Sequence, residues 1–250
     1  MSIRMRCALL ALLFASCTAQ ALSVDELISK NVEARGGMNK IDAIKSIRFE
    51  GSLRFAGPFG SIDLSMRLLK KAPDRVRNEA SVQGLTQIQA WDGKEAWQVS
   101  PFQGRKDPER LSEDDARALS DAASIGGPLV NYRSRGSTVE YLGTEDVDGT
   151  EAHKLKVTLK NGNIETVYLD PDHFIEIRVV GQRKVRGTTT EDITDYGDYE
   201  QVAGVWFPFS IISRTKGSGG QQQITIEKAE VNSEMADSLF SFPGKSGSNP

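Results

Sequence analysis

The chain has 250 residues, of which 38% are hydrophobic and 26% charged, and its formal net charge is −3. This is an ordinary globular composition, and the chain is long enough for one large domain. A weakly acidic chain with scattered basic residues has no electrostatic footprint for nucleic acid, so no nucleic-acid partner is expected.

Residues 1–21 have the layout of a secretory signal peptide. Arg4 and Arg6 precede a short apolar run, and small residues follow up to Ala21. The run is too short to span a bilayer comfortably. We therefore expect export to the periplasm, cleavage after Ala21 and a mature protein that begins at Leu22.

Both cysteines, Cys7 and Cys17, lie within this leader, so the mature chain is expected to have no disulfide and no thiolate chemistry. A second interpretation stays open. The stretch from Phe14 to Cys17 is close to a bacterial lipobox, although Phe14 stands where Leu, Val or Ile is usual. In that case Cys17 carries lipid and anchors the protein to a membrane.

Residues 24–35 form the first predicted element, a helix. Ser23 is a suitable N-cap, Glu26 completes a capping box, and Gly36-Gly37 ends the helix. The hydrophobic period then changes from 3.6 to 2, which is the period of half-buried strands.

Antiparallel strands dominate the rest of the chain. The first two, 47–55 and 62–68, alternate apolar and polar side chains around a turn at 57–60. Further strands are predicted at 75–82, 86–91, 95–99, 138–146, 151–160, 163–169, 174–184, 188–199, 205–216 and 221–231. The fold class is therefore mainly β with some α, built on a large antiparallel sheet of about eleven strands.

A predicted helix at residues 112–123 interrupts the strands, with Ser112 as its cap. Its inner stripe consists of Ala116, Leu119 and Ala123, which makes it a thin cover. A sheet of this size must curl, and its apolar face must be covered. Thin helices over such a sheet are expected to leave apolar volume for a ligand. Residues 244–250 are expected to be a flexible tail.

Catalytic motifs are missing from the sequence. There is no G-x-S-x-G elbow and no P-loop. The histidines, His153 and His173, match no closed metal-ligand set with Asp170 and Asp172. We therefore expect a protein that is not an enzyme and that uses no cofactor and no metal.

Two stretches carry a family resemblance: KKAPDRVRNE at 70–79 and AWDGKEAWQVSP at 90–101. Together they resemble the central signature of the LolA/LolB-type bacterial lipoprotein carriers, in which a basic strand, a proline, an arginine and an Asp-Gly hairpin with tryptophan follow one another. The run GDYEQVAGVWFPFSI also resembles LolA-like lipoprotein-sorting proteins. The resemblance spans almost all of 22–243, which we take as the domain. At Asn78-Glu79 the carriers usually have an aromatic, and this departure leaves room for another hydrophobic ligand.

This resemblance implies a half-open antiparallel β-barrel of about eleven strands, with helices as a lid over an apolar cavity. It implies a lipidated protein or lipid as cargo, an inner-membrane release complex as donor and an outer-membrane acceptor. In the carriers an arginine near the signature strand holds the lid through helix carbonyls, which makes Arg75 and Arg77 the latch candidates. Two alternatives stay open: a membrane-anchored LolB-like receptor with lipid on Cys17, and an envelope sensor that binds a protein partner.

The expected cavity lining is the set of apolar side chains that alternate inward, with aromatics at strand ends. Pro208 cannot donate to a sheet ladder, so it is expected at an edge or bulge near the cavity rim. The predicted lining residues are Phe49, Leu53, Phe55, Ile62, Leu64, Met66 and Leu68 of the first hairpin, Leu119 and Leu129 of the lid, and Trp91, Trp97, Trp206, Phe207 and Phe209.

Overall fold

The computed structural model describes residues 22–58, 60–185 and 187–244. The predicted signal peptide, with Cys7 and Cys17, and residues 245–250 of the predicted tail lie outside these ranges. The helices are α1 (Val24–Ala34), α2 (Met38–Ala43) and α3 (Glu113–Ala122). The strands are β1 (Ser46–Gly57), β2 (Gly60–Lys71), β3 (Arg75–Val82), β4 (Leu85–Trp91), β5 (Ala96–Ser100), β6 (Arg105–Arg110), β7 (Thr138–Val147), β8 (Thr150–Thr158), β9 (Ile164–Leu169), β10 (Glu176–Val185), β11 (Thr188–Val202), β12 (Val205–Thr215) and β13 (Gln221–Val231).

All of these strands belong to one antiparallel sheet, in the order β6-β5-β4-β3-β2-β1-β13-β12-β11-β10-β9-β8-β7. Sequence neighbours pair as hairpins, and the pairing of β1 with β13 joins the two halves of the chain. The predicted antiparallel sheet with a few helices is confirmed. The sheet has 13 strands rather than about eleven, and among the described residues its edge strands β6 and β7 do not pair with each other, so it is open.

Strand β6 is an element that the sequence did not predict. Its residues, RKDPER, are charged and include Pro108, so no apolar alternation marks them as a strand. The structure places β6 at the edge of the sheet, paired only with β5 among the described strands. An edge is where a strand that contains proline is tolerated, because one side of its backbone needs no ladder partner.

The sheet has an inner face, covered by the helices, and an outer face. The main core lies on the inner face, where α1, α2 and Leu129-Val130 pack on strands from both halves of the sheet. Phe49 on β1 and Phe207 on β12 meet there edge to face, with ring centroids 5.6 Å apart, a geometry that aromatic pairs prefer.

Helix α1 is fixed at both ends. Its first turn has the predicted capping box between Ser23 and Glu26. At its other end the Trp206 amide donates to the Arg35 carbonyl oxygen at 2.9 Å. Gly36 follows, and a Cβ there would lie 2.2 Å from the Gly204 carbonyl oxygen, so only glycine allows this approach. The end of α1 is thereby held against the β11–β12 turn, which directs the Arg35 side chain under the inner cover.

Candidate functional site

An apolar cleft of about 210 Å³ lies between the inner face of the sheet and the loop that follows α3. We call residues 124–128 of this loop the cover loop. The sheet contributes mostly aliphatic and aromatic side chains to the cleft, as expected for a site that takes apolar ligands. The lining residues are Arg35, Ile47, Phe49, Leu68, Lys70, Ser124, Ile125, Gly127, Pro128, Glu176, Val179, Tyr196, Tyr199, Phe207, Pro208, Ile211 and Ile226.

Three cationic side chains hold the cover loop by its carbonyl oxygens. Arg35 donates to Gly126 O at 2.5 Å and Lys70 donates to Ser124 O at 3.0 Å. Arg135 donates to Gly127 O at 3.0 Å. Hydrogen bonds from charged donors are stronger than neutral ones. Polar contacts with its backbone therefore help to fix the loop over the cleft, together with the packing of Ile125 against the core.

Arg35 also belongs to a buried ion pair. Its guanidinium lies 3.4 Å from the Glu176 carboxylate, and both side chains are less than a tenth exposed. Tyr199 donates to the Glu176 carbonyl oxygen at 2.6 Å. Burial raises the pKa of Tyr199, so its hydroxyl stays protonated and keeps this donor role.

A polar compartment of about 290 Å³ adjoins the apolar cleft and shares Lys70, the cover loop and Tyr196 with it. Within it Asp121 of α3 accepts from the Asn161 and Asn163 side-chain amides, at 2.7 Å each. These bonds join the lid helix to the β8–β9 turn. Arg183 pairs with Asp192 on the facing strands β10 and β11.

Two ionisable groups in this compartment have strongly shifted pKa values. Burial, followed by the charges of Arg35 and Arg135, lowers the pKa of Lys70 to about 8. Burial, followed by the charge of Asp121, raises the pKa of Glu165 to about 7. Among the described residues neither group forms an ion pair within 4.0 Å. The compartment therefore contains unpaired titratable groups beside an apolar cleft.

The lid helix α3 packs as its sequence predicts. Ala116, Leu119 and Ala123 form the inner stripe, and they contact Val76 of β3 and Ala96 of β5. Its other anchor is Asp121, described above. Because two of these three inner side chains are alanines, α3 is a thin cover, as predicted.

The structure brings only part of the predicted lining to the cleft. Phe49, Leu68 and Phe207 line it directly. Phe209 and Leu129 belong to the core beside it, whereas Trp91 and Leu119 lie in the α3 cluster. Whether these residues contact a ligand remains a prediction.

The remaining residues of the first hairpin share the inner face but lie beyond the cover loop. Phe55 and Ile62 are 43% and 46% exposed, and Leu53 and Leu64 are half-buried. Met66 is buried beside a separate groove. Trp206 is 37% exposed and does not line the cleft. The paired ends of β1 and β2 therefore extend past the cover loop, and alternation alone does not show where a cover ends.

Trp97, Arg75 and Arg77 require a correction, because the structure places them on the outer face. Val76 faces inward, so its two neighbours on β3 point the other way. Arg75 lies 3.3 Å from Asp237, and Arg77 donates to Leu239 O at 2.7 Å. These arginines therefore hold the C-terminal segment instead of the lid.

The cations that do hold the cover loop were missed. Lys70 had a visible signal, because it continues the inward alternation of Leu64, Met66 and Leu68 with a charge. Glu165 had a similar signal, because it breaks an apolar strand at an inward position next to Val167. Arg35 had none, since the last residue of a helix is an ordinary place for a basic side chain.

Among the described residues no helix is long and apolar enough to cross a membrane. The same residues contain no group of three or more His, Cys, Asp and Glu side chains placed to hold a metal ion. His173 instead lies 3.0 Å from Asp170 within its own turn.

No protein-family model matches the chain, and no curated protein matches it. Solved structures match its fold. A LolA superfamily protein from Nitrosomonas europaea is 15% identical with a TM-score of 0.62, and the match covers 88% of this chain and 98% of that one. A DUF1329 family protein from Desulfovibrio piger is 12% identical with a TM-score of 0.62, covering 87% and 97%. A Vibrio parahaemolyticus domain named for outer membrane lipoprotein sorting is 14% identical with a TM-score of 0.57, covering 85% and 97%.

At these identities the likeness concerns the fold, because one fold supports many functions. The matches nevertheless extend over nearly the whole of the described chain and of each neighbour. The resemblance drawn from residues 70–79 and 90–101 is confirmed for the fold: the chain has the architecture of these LolA superfamily, DUF1329 and lipoprotein-sorting structures.

Proposed function

We propose that this protein is a non-enzymatic periplasmic carrier that binds the acyl chains of a lipoprotein, or another hydrophobic ligand, in its inner cleft. The observation that supports the proposal most is the apolar cleft beneath a cover loop whose described contacts with Arg35, Lys70 and Arg135 are polar. Such a cover can open at a smaller cost in buried apolar area than a packed helix. A carrier needs this property, because its cargo must leave.

The size of the cleft is consistent with one apolar chain. A dry engineered cavity of about 150 Å³ is enough to bind benzene, and this cleft has about 210 Å³. Each buried CH₂ contributes about 0.8 kcal/mol. A longer chain would continue along the uncovered apolar row of Leu53, Leu64, Phe55 and Ile62 on the same face.

A neutral fluorescent probe, N-phenyl-1-naphthylamine, tests this proposal. We expect it to bind the wild-type protein and to be displaced by apolar ligands. Ile211→Trp puts a larger side chain into the cleft and is expected to weaken probe binding about tenfold or more. Ile212→Trp is the matched control, because Ile212 is the next residue of the same strand and does not line the cleft.

Equal probe binding by the Ile211→Trp and Ile212→Trp variants, both folded, would contradict a cleft-bound ligand. A mass spectrum of lipids extracted from protein purified from its native host gives a second measurement. Any co-purifying lipid should be lost from the Ile211→Trp variant and kept by the control.

Lipid attachment to Cys17 remains the alternative, supported by the sequence from Phe14 to Cys17. In that form the same cleft would belong to a membrane-anchored receptor. The intact mass of the mature protein separates the two: a free N-terminus at Leu22 rules out the anchored form, and an acylated Cys17 rules out the free carrier.

A further inference from the structure

We propose that the ligand is an amphiphile with an anionic head group, a carboxylate or a phosphate, bound at the junction of the apolar cleft and the polar compartment. The head group would lie against Lys70 and Tyr196, and its chain would occupy the cleft. This inference rests on the proposed function, because it assumes that the cleft takes an apolar chain.

The junction is defined by the residues that line both cavities. They are Lys70, Ser124, Gly127, Pro128, Val179 and Tyr196. Lys70 is the charged member of this set. A chain that fills the apolar cleft and ends at the junction therefore meets an ammonium group first.

Hydrogen-bond donors are free at the junction. An ammonium group has three hydrogens, and Lys70 gives one of them to Ser124 O. The Tyr196 hydroxyl has no hydrogen-bond partner among the described residues, and burial raises the pKa of this hydroxyl, which leaves it protonated. The Gly126 and Gly127 carbonyl oxygens already accept from Arg35 and Arg135. An incoming acceptor therefore finds unused donors.

Charged groups of both signs surround this junction. The groups that face this region are Arg35, Lys70, Asp121, Arg135, Glu165, Glu176, Arg183 and Asp192. Arg35 pairs with Glu176, and Arg183 pairs with Asp192. Asp121 is held by two neutral amides, and burial raises its pKa.

After these pairings Lys70 and Arg135 face Asp121 and Glu165. Since the pKa of Glu165 is raised to about 7, this carboxyl is partly protonated near neutral pH. Of these four residues only Lys70 also lines the apolar cleft. Glu165 lines the polar compartment and not the apolar cleft, so a cationic head group would have to pass Lys70 to reach it.

Calorimetric titration at pH 7 with four ligands of equal chain length tests the inference: dodecanoate, dodecyl phosphate, dodecanol and dodecyltrimethylammonium. We expect at least one anion to bind about tenfold or more tightly than dodecanol, because a charge-assisted hydrogen bond replaces a neutral one. The cation should bind most weakly. The two anions separate a fatty-acid-like from a phospholipid-like head group.

Lys70→Met keeps the length of the side chain and removes its charge, so the variant should bind the anions and dodecanol with similar affinity. Lys228→Met is the matched control, because this lysine is 61% exposed on β13, and it should keep the wild-type preference. If dodecanol binds as tightly as both anions, or if Lys70→Met still prefers the anions, the inference of an anionic head group is overturned. The proposed carrier function would not be affected by either result. If none of the four ligands binds, the proposed carrier function fails together with the inference.

Discussion

Strands β2 to β5 are covered on both faces, and the two covers are built differently. On the outer face the C-terminal segment, residues 235–242, forms what we call the outer cover. Phe240 and Leu69 there are almost fully buried, and the Trp97 indole, 2% exposed, donates to Phe240 O at 2.7 Å. On the inner face the cover loop and α3 leave an apolar cleft and a polar compartment.

This difference predicts that the outer cover opens less readily than the inner one. Large side chains interdigitate in the outer cover, so removing it would expose much apolar surface. The cover loop is held by Arg35, Lys70 and Arg135 through carbonyl oxygens. Water can replace such bonds when the loop moves, so their net contribution to stability is modest. Alternate residues of the same strands thus build one face that packs against large side chains and one face that lines a cleft.

The largest expected effect comes from breaking the outer cover. Trp97→Ala should lower the free energy of unfolding by about 4 kcal/mol, because it leaves a large cavity and an unsatisfied Phe240 carbonyl oxygen. Binding of N-phenyl-1-naphthylamine to the folded variant should not change, since Trp97 lies on the other face. Urea denaturation and probe titration measure the two quantities. Weaker probe binding with intact structure would contradict the separation of the two faces.

A smaller effect is expected from loosening the inner cover. Arg35→Met should destabilise the protein by about 2–3 kcal/mol, because the buried Glu176 carboxylate and Gly126 O lose a charged hydrogen-bond donor. Amide hydrogen exchange of residues 124–128 should become faster, because Gly126 O loses its donor. Arg77→Met is the matched variant on the outer face, where Arg77 holds Leu239 O.

In Arg77→Met the faster exchange should appear in residues 235–242 instead of the cover loop. The comparison of the two covers is contradicted if both arginine variants change exchange in the same segment. Faster release of the bound probe from Arg35→Met, but not from Arg77→Met, would further support the difference between the two covers.

The sequence predicts most of this fold because its signals are local. The hairpin connection between β1 and β2, the capping box at Ser23 and the alternation along β1 and β2 each depend on neighbouring residues. The charged edge strand β6 is the exception, since its pairing with β5 is decided by tertiary context.

The site was predicted less completely because covers are nonlocal. Alternation assigns Leu53 and Phe49 to the same face, but only the folded chain shows that the cover loop reaches Phe49 and not Leu53. The sequence also gives no sign that residues 235–242 return to cover Trp97. The sequence therefore shows which side chains share a face of the sheet, but it does not show which elements cover that face.

The missing N–H of Pro208 predicts that this residue lies at an edge or bulge of the sheet, and the structure agrees. It lies in β12, which is interior in the sheet order, but β12 pairs with β13 only from Ser210 to Arg214. The strand is thus locally an edge at Pro208, where a missing N–H is tolerated. Pro208 also lines the cleft, as expected for a residue at its rim.

The smallest expected effect concerns the titratable groups of the inner face. Because the pKa of Glu165 is raised to about 7 in the folded protein, the folded state keeps a proton that the unfolded chain releases near pH 4.5. This contribution to stability is complete below pH 4.5 and is lost as the pH rises through 7. Glu165→Gln should remove the loss, which is on the order of 2 kcal/mol.

Urea denaturation at pH 5 and pH 7.5 measures this difference, and it stays below the range in which Lys70, with its pKa of about 8, releases most of its proton. Glu140→Gln is the control, because Glu140 is exposed on β7 and its variant should follow the wild-type dependence. If the free energy of unfolding changes equally between pH 5 and pH 7.5 in the wild type and in Glu165→Gln, Glu165 is solvated in the folded protein. The inner compartment would then be open to water. The two covers would in that case differ in how tightly their side chains pack and not in the polarity of their surroundings.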